Sequence, residues 1–109
     1  SSGVILNPGV ILGPYSLLRE LVTVNRSVSI GHHSIVNQFT TIHPGVNIAG
    51  HCSIGSGVTI GMGSNVVDGV SIGNNTVIGA GSLVTSDIPD NVVAYGSPAK
   101  IVKQRNAVQ

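Results

Sequence analysis

Charge is the scarcest property of this chain. Five Lys and Arg stand against four Asp and Glu among 109 residues, 8% in all, where an ordinary soluble domain carries about 25%. Polyelectrolyte disorder, which requires high charge and low hydropathy, is excluded. A coiled coil is excluded too, because its flanks need Glu and Lys. Five scattered cations form no basic stripe, so no nucleic acid is expected as a partner. Aromatic residues make up 3%, Trp is absent, and Cys52 is the single cysteine, so no intrachain disulfide can form. No stretch approaches the roughly 18 apolar residues of a membrane span. No cationic-then-apolar leader follows Ser1, and a cytoplasmic setting is expected. What fills the chain instead is 17 Val, 15 Gly, 13 Ser, 12 Ile and 9 Asn. Branched aliphatics mixed with turn residues predict one all-β domain of short strands and many tight corners.

The pattern recurs every six residues. From Leu6 it runs through Leu12, Leu18, Val24, Ile30, Val36, Ile42, Ile48, Ile54, Ile60, Val66, Ile72 and Ile78 to Val84. Val, Ile and Leu total 35 of 109 residues, so a position is aliphatic by chance about one time in three. Fourteen in succession is no accident. Four residues after each aliphatic lies a small or β-branched residue, from Val10 and Ser16 through Ser34, Thr40 and Cys52 to Ser82. Gly follows many of the aliphatics directly, and Gly or Asn often stands three residues after, which supplies one sharp turn per hexad. Three hexads close a triangle and set residue n+18 over residue n, about 4.8 Å away. The prediction is a parallel β-helix over residues 4–86, with the aliphatic and small columns inward. A C-terminal extension follows over 87–109, where Asp90 breaks the aliphatic column. Residues 87–91 read as a turn and 92–95 as a strand. Ser97-Pro98 reads as the cap and first position of a short helix over 99–108.

The corners then fall into three stacked edges. One carries Tyr15, His33, His51 and Gly69 beside Pro14, His32, Gly50 and Asp68; a second carries Asn25, His43, Gly61 and Gly79 beside Pro44, Met62 and Ala80. The third carries Leu21, Phe39, Gly57 and Asn75. From Ser27 to Val67 there is no Asp, Glu, Lys or Arg. Acid–base chemistry on this stretch is therefore histidine chemistry, suited to reactions near neutral pH; the alternative is that these rings are polar corners at a subunit interface. Cys52 beside His51 imitates a nucleophile pair, but its place in the inward column predicts a buried, inert thiol. The recurring Gly-x-Gly fragments belong to the hexad and carry no dinucleotide site.

The repeat resembles the left-handed parallel β-helix of the hexapeptide-repeat acyltransferases, whose members form trimers; a homotrimer with sites between subunits is the expectation this implies. The run from His51 to Gly69 is also similar to the gamma-class carbonic anhydrases. Their metal-ligand positions fall on Gly45 and Gly50 here, so a metal is not expected, although His33 and His51 offer imidazoles one coil apart. Asn25, seven residues before His32, together with Ile48-Ala49-Gly50 and Tyr95-Gly96-Ser97-Pro98-Ala99-Lys100, resembles the acetyltransferases that modify sialic acids and nucleotide-linked amino sugars. That resemblance implies acetyl-CoA as co-substrate and a sugar or nucleotide-sugar acceptor, acetylated at an amine or hydroxyl by direct attack. It makes His32 the general base and Gly50 the backbone donor to the acetyl carbonyl, with His33 and Asn25 in the catalytic group. Met62, Gly79 and Ala80 would line the pantetheine arm, and Lys100 and Lys103 would meet phosphates. Where the family places Asp or Glu directly after the base, this chain has His33; where a second histidine often follows, it has Thr41. An α/β domain normally precedes the repeat in that family, and either such a domain or another means of holding the acceptor is expected. A non-catalytic scaffold trimer is the competing reading.

Overall fold

The computed structural model describes residues 3–106. Strand β1 is Ile5–Leu6, and each following two-residue strand starts six residues later, as far as β14, Leu83–Val84. Two longer strands end the described chain, β15 (Val92–Gly96) and β16 (Ala99–Gln104), and there is no helix among the described residues. The short strands form three parallel ladders, one per face, ordered β1-β4-β7-β10-β13, β2-β5-β8-β11-β14 and β3-β6-β9-β12. Register is eighteen residues throughout, as in Ile5↔Thr23, Ser29↔Asn47 and Ile35↔Ser53. The chain is thus a parallel β-solenoid, consistent with the left-handed hexapeptide β-helix. Among the described residues no helix is long and apolar enough to cross a membrane.

Twelve of the fourteen aliphatics, Leu18 to Val84, are buried. Leu6 and Leu12, also expected inside, are 50% and 40% exposed because no coil covers them from below. The small inward column tolerates hydroxyls because each one finds a backbone partner in its own coil or the next. Ser34 Oγ donates to Ala49 O at 2.8 Å and accepts from Cys52 N–H at 3.1 Å; Thr40 Oγ1 repeats this with Gly55 O and Val58 N–H at 2.7 and 3.2 Å. Among the described residues no buried side-chain polar atom lacks a partner, which removes the usual penalty for polar groups in a core.

Turn chemistry is sharper than the composition suggested. Every residue three after an aliphatic, from Gly9 to Gly81, has positive φ, including Tyr15, Leu21, Ser27, His33, Phe39, His51 and Asn75. The glycines directly after the aliphatics serve a different purpose. A Cβ built on Gly31 would lie 2.5 Å from Ala49 C and from Gly50 N, so the next coil leaves no room for a side chain.

Two expectations about the extension are corrected. The aliphatic column does not stop at position 90. Ile88 is buried and bridges Ile72, and β15 pairs with β13 as Val77↔Val93. The last coil is two residues short, with register sixteen, so Asp90 falls on a corner, where its carboxylate accepts from Asn74 N–H at 2.7 Å. The second correction is the helix over 99–108. Residues 99–104 form β16, antiparallel to β15 around a turn at Gly96-Ser97-Pro98, with a cis Ser97-Pro98 peptide. Ile101 and Val102 suit a strand, and the open edge of β15 supplies backbone partners that a short isolated helix would lack. The end of that segment, 107–109, lies outside the described residues.

Candidate active site

The first edge brings His32, His33, His51 and Gly50 together. Coil spacing matches ring-stacking distance, so the corner rings form a continuous column. The His33 ring stacks between Tyr15 (centroids 5.0 Å, 25° between planes) and His51 (5.0 Å, 4°). His32 stands perpendicular to it, at 88° to both histidines. His32 Nδ1 and His33 Nδ1 are 3.1 Å apart, a hydrogen bond in which one ring donates and the other accepts.

The other side of the His32 ring lies over Gly50. A Cβ built on Gly50 would be 2.8 Å from His32 Nε2 and 3.0 Å from Cε1, so the missing side chain is the space the imidazole occupies. Gly50 N–H takes part in none of the hydrogen bonds among the described residues. Equivalent N–H groups on the third edge show what such a donor binds: Ser56 N–H meets the Asn74 side-chain carbonyl at 2.8 Å, and Asn74 N–H meets the Asp90 carboxylate at 2.7 Å. A corner N–H at this position is therefore aimed at an outlying oxygen acceptor. At Gly50 no such acceptor caps the N–H, and the His32 ring fills the place of the missing side chain.

The remaining predicted residues lie elsewhere. Asn25 is on the second edge, and its Nδ2 donates to Ile42 O at 3.0 Å. Asn7 and Asn37 make the same bond to Val24 O and Ile54 O from equivalent hexad positions, so this amide holds the ladder. Met62 is exposed beside a groove of about 420 Å³ lined by Arg26, Ser27, Pro44, Gly45 and Gly63, also on the second edge. Ala80 is one coil beyond Met62, and Gly79 lies under Tyr95, where an added Cβ would sit 2.7 Å from the tyrosine Cβ. His43 is on that edge too, apart from the other histidines. Lys100 and Lys103 are exposed on β16, whereas Arg105 is tied to the fold through Nη1 to Asn75 O at 2.9 Å. A polar ladder, Ser29 to Asn47 to Asn65, runs up the face between the two edges at 2.8 and 3.0 Å.

Cys52 is buried, its Sγ donates to Val67 O at 3.2 Å, and burial pushes its thiol pKa up. It is no nucleophile. Iodoacetamide at about pH 8 should leave it unmodified in folded protein and alkylate it in denaturant, as read by mass spectrometry. Labelling of the folded chain at the rate of a free thiol would contradict this placement.

Residues 51–86 match the family model for the bacterial transferase hexapeptide, in six repeats. A comparison with curated protein sequences gave no match. Among solved structures the chain is similar to a serine acetyltransferase (CysE) from Neisseria gonorrhoeae, at 30% identity and a TM-score of 0.86, covering 92% of this chain and 43% of that one. It is similar to a maltose O-acetyltransferase from Clostridium difficile 630, at 26% identity and a TM-score of 0.89, covering 97% of this chain and 68% of that one. PerB from Caulobacter crescentus, solved in complex with CoA and GDP-perosamine, is 32% identical with a TM-score of 0.62, over 91% of this chain and 58% of that one. This chain thus spans less than half of the serine acetyltransferase and little more than half of PerB. Residues 51–86 thus carry the hexapeptide repeat, and the chain shares its parallel coil with these acetyltransferases.

Proposed function

We propose that this chain carries the acyl-transfer centre of an acetyl-CoA-dependent acetyltransferase whose acceptor is a sugar or a nucleotide-linked sugar. The observation that carries the reading is the pairing on one corner of the His32 imidazole with the uncapped N–H of Gly50. His32 Nε2 takes the proton from the attacking amine or hydroxyl. Gly50 N–H donates to the thioester oxygen as negative charge gathers there. His33 accepts from His32 Nδ1–H through its own Nδ1, so that Nε2 keeps its lone pair. The stack of Tyr15 and His51 fixes the His33 plane, and His33 thereby does the positioning usually left to a carboxylate. The PerB structure, solved with CoA and GDP-perosamine, supports the acceptor class.

His32 and Gly50 lie on one edge of the triangle, while Met62, Gly79 and Ala80 lie on the next. A homotrimer that sets one chain's first edge against its neighbour's second edge unites the two groups, with the pantetheine arm running along Met62 and Ala80 and the phosphates near Lys100 and Lys103. The setting that supplies acetyl-CoA and nucleotide sugars is the cytoplasm. The test is release of free thiol from acetyl-CoA with a panel of amino-sugar nucleotides, free sugars and serine. Release that requires one of the sugar acceptors supports the reading. Release with serine alone overturns the acceptor class, and no release with any acceptor favours the scaffold trimer.

A further inference from the structure

We propose that His32, His33 and His51 form a binding site for a divalent transition-metal ion, best suited to zinc. All three side chains are exposed, and a ligand nitrogen from each lies within 4.8 Å of the others. Bond lengths of about 2.0–2.1 Å for zinc to imidazole place cis ligand nitrogens roughly 3.0–3.4 Å apart. His32 Nδ1 and His33 Nδ1 are already at 3.1 Å, so an ion can replace their hydrogen bond once both rings turn to bring their lone pairs onto one point. His51 completes the set by turning out of its stack on His33. Asp68, on the same edge, is not part of this group, so the donor set is purely imidazole, which suits zinc, copper or nickel and disfavours magnesium or calcium.

The ion would act as an inhibitor. Once Nδ1 of His32 binds metal, the ring proton resides on Nε2, and the lone pair facing Gly50 is gone. This regulatory consequence rests on the acyl-transfer reading above, whereas the binding site itself does not.

The experiment uses tag-free protein. Zinc chloride is titrated by calorimetry, and cobalt(II) chloride by visible absorption, with His33→Asn and His51→Asn as variants. Asn is chosen because both positions have positive φ, 59° and 57°, which Asn tolerates. The expected result is one ion per chain, a cobalt d–d band, and binding weakened about tenfold or more in each variant. No binding, or equal affinity in His51→Asn, overturns the proposal. Thiol release inhibited by zinc and restored by EDTA supports the inhibitory role, and full activity with zinc bound overturns it. A chain that binds zinc at these residues but releases no thiol refutes the transferase reading and leaves the metal site standing.

Discussion

Replacing His32 by Ala is expected to lower acceptor-dependent thiol release by about 10²–10⁴-fold, the usual contribution of a positioned general base. Gly50→Ala should approach that loss without touching the base. Gly50 has no positive φ, so Ala fits the backbone, and the atoms nearest the new methyl all belong to the His32 ring, at 2.8–3.1 Å. The ring is the free end of a side chain and will swing away. A shift of about 1 Å at the reacting centre costs on the order of 10²-fold. Stability should change by less than about 1 kcal/mol, since no packed core is disturbed. Steady-state rates beside urea unfolding curves check both halves. A Gly50→Ala protein with wild-type rate would remove Gly50 and the ring placement from the mechanism, and an unchanged His32→Ala protein would remove the base.

Gly31→Ala is the contrasting case, because its new methyl meets main chain. It would lie 2.5 Å from Ala49 C and Gly50 N and 2.8 Å from Ala49 O, atoms held in the ladder by Ala49 N–H to Val66 O at 3.0 Å. The coils must separate at that corner. Overpacking of this kind destabilises by about 1–3 kcal/mol or more, and Gly31 N–H to Ile48 O, 2.7 Å, is the bond most directly strained. The expected result is a clear fall in the urea midpoint for Gly31→Ala and almost none for Gly50→Ala. Equal midpoints would mean that the coil spacing is softer than the ladder implies.

These two glycines also mark what the sequence discloses. Both read as corner residues that turn easily, and neither uses a positive φ; one is required by the next coil's backbone and the other by an imidazole. The ladder register was legible because fourteen aliphatics hold one period, and period alone determines which residue sits over which. The ring column Tyr15-His33-His51 followed from the same arithmetic. The contact between His32 Nδ1 and His33 Nδ1 did not, since it depends on two side-chain torsions that no spacing encodes. Asp90 was read as the end of the repeat because the count ran in sixes, whereas Ile88 takes the inward place after a step of four. Ser97-Pro98 is a good helix start by local rules, yet the outcome was decided by the open edge of β15, a tertiary property. Asn25 drew attention through its distance from His32, and Asn7 and Asn37 show that its amide answers to the hexad.

The short final coil and the hairpin after it bear on strand addition at this end of the solenoid. A parallel β-solenoid that kept its register to the last strand would end in a row of unpaired backbone groups, a template for another molecule's coil. Here the step from eighteen to sixteen residues breaks that template. The antiparallel return of β16 then replaces a parallel edge with one of opposite polarity. That new edge begins after Pro98 and carries Lys100 and Lys103, and lysine and proline are the residues that discourage strand addition.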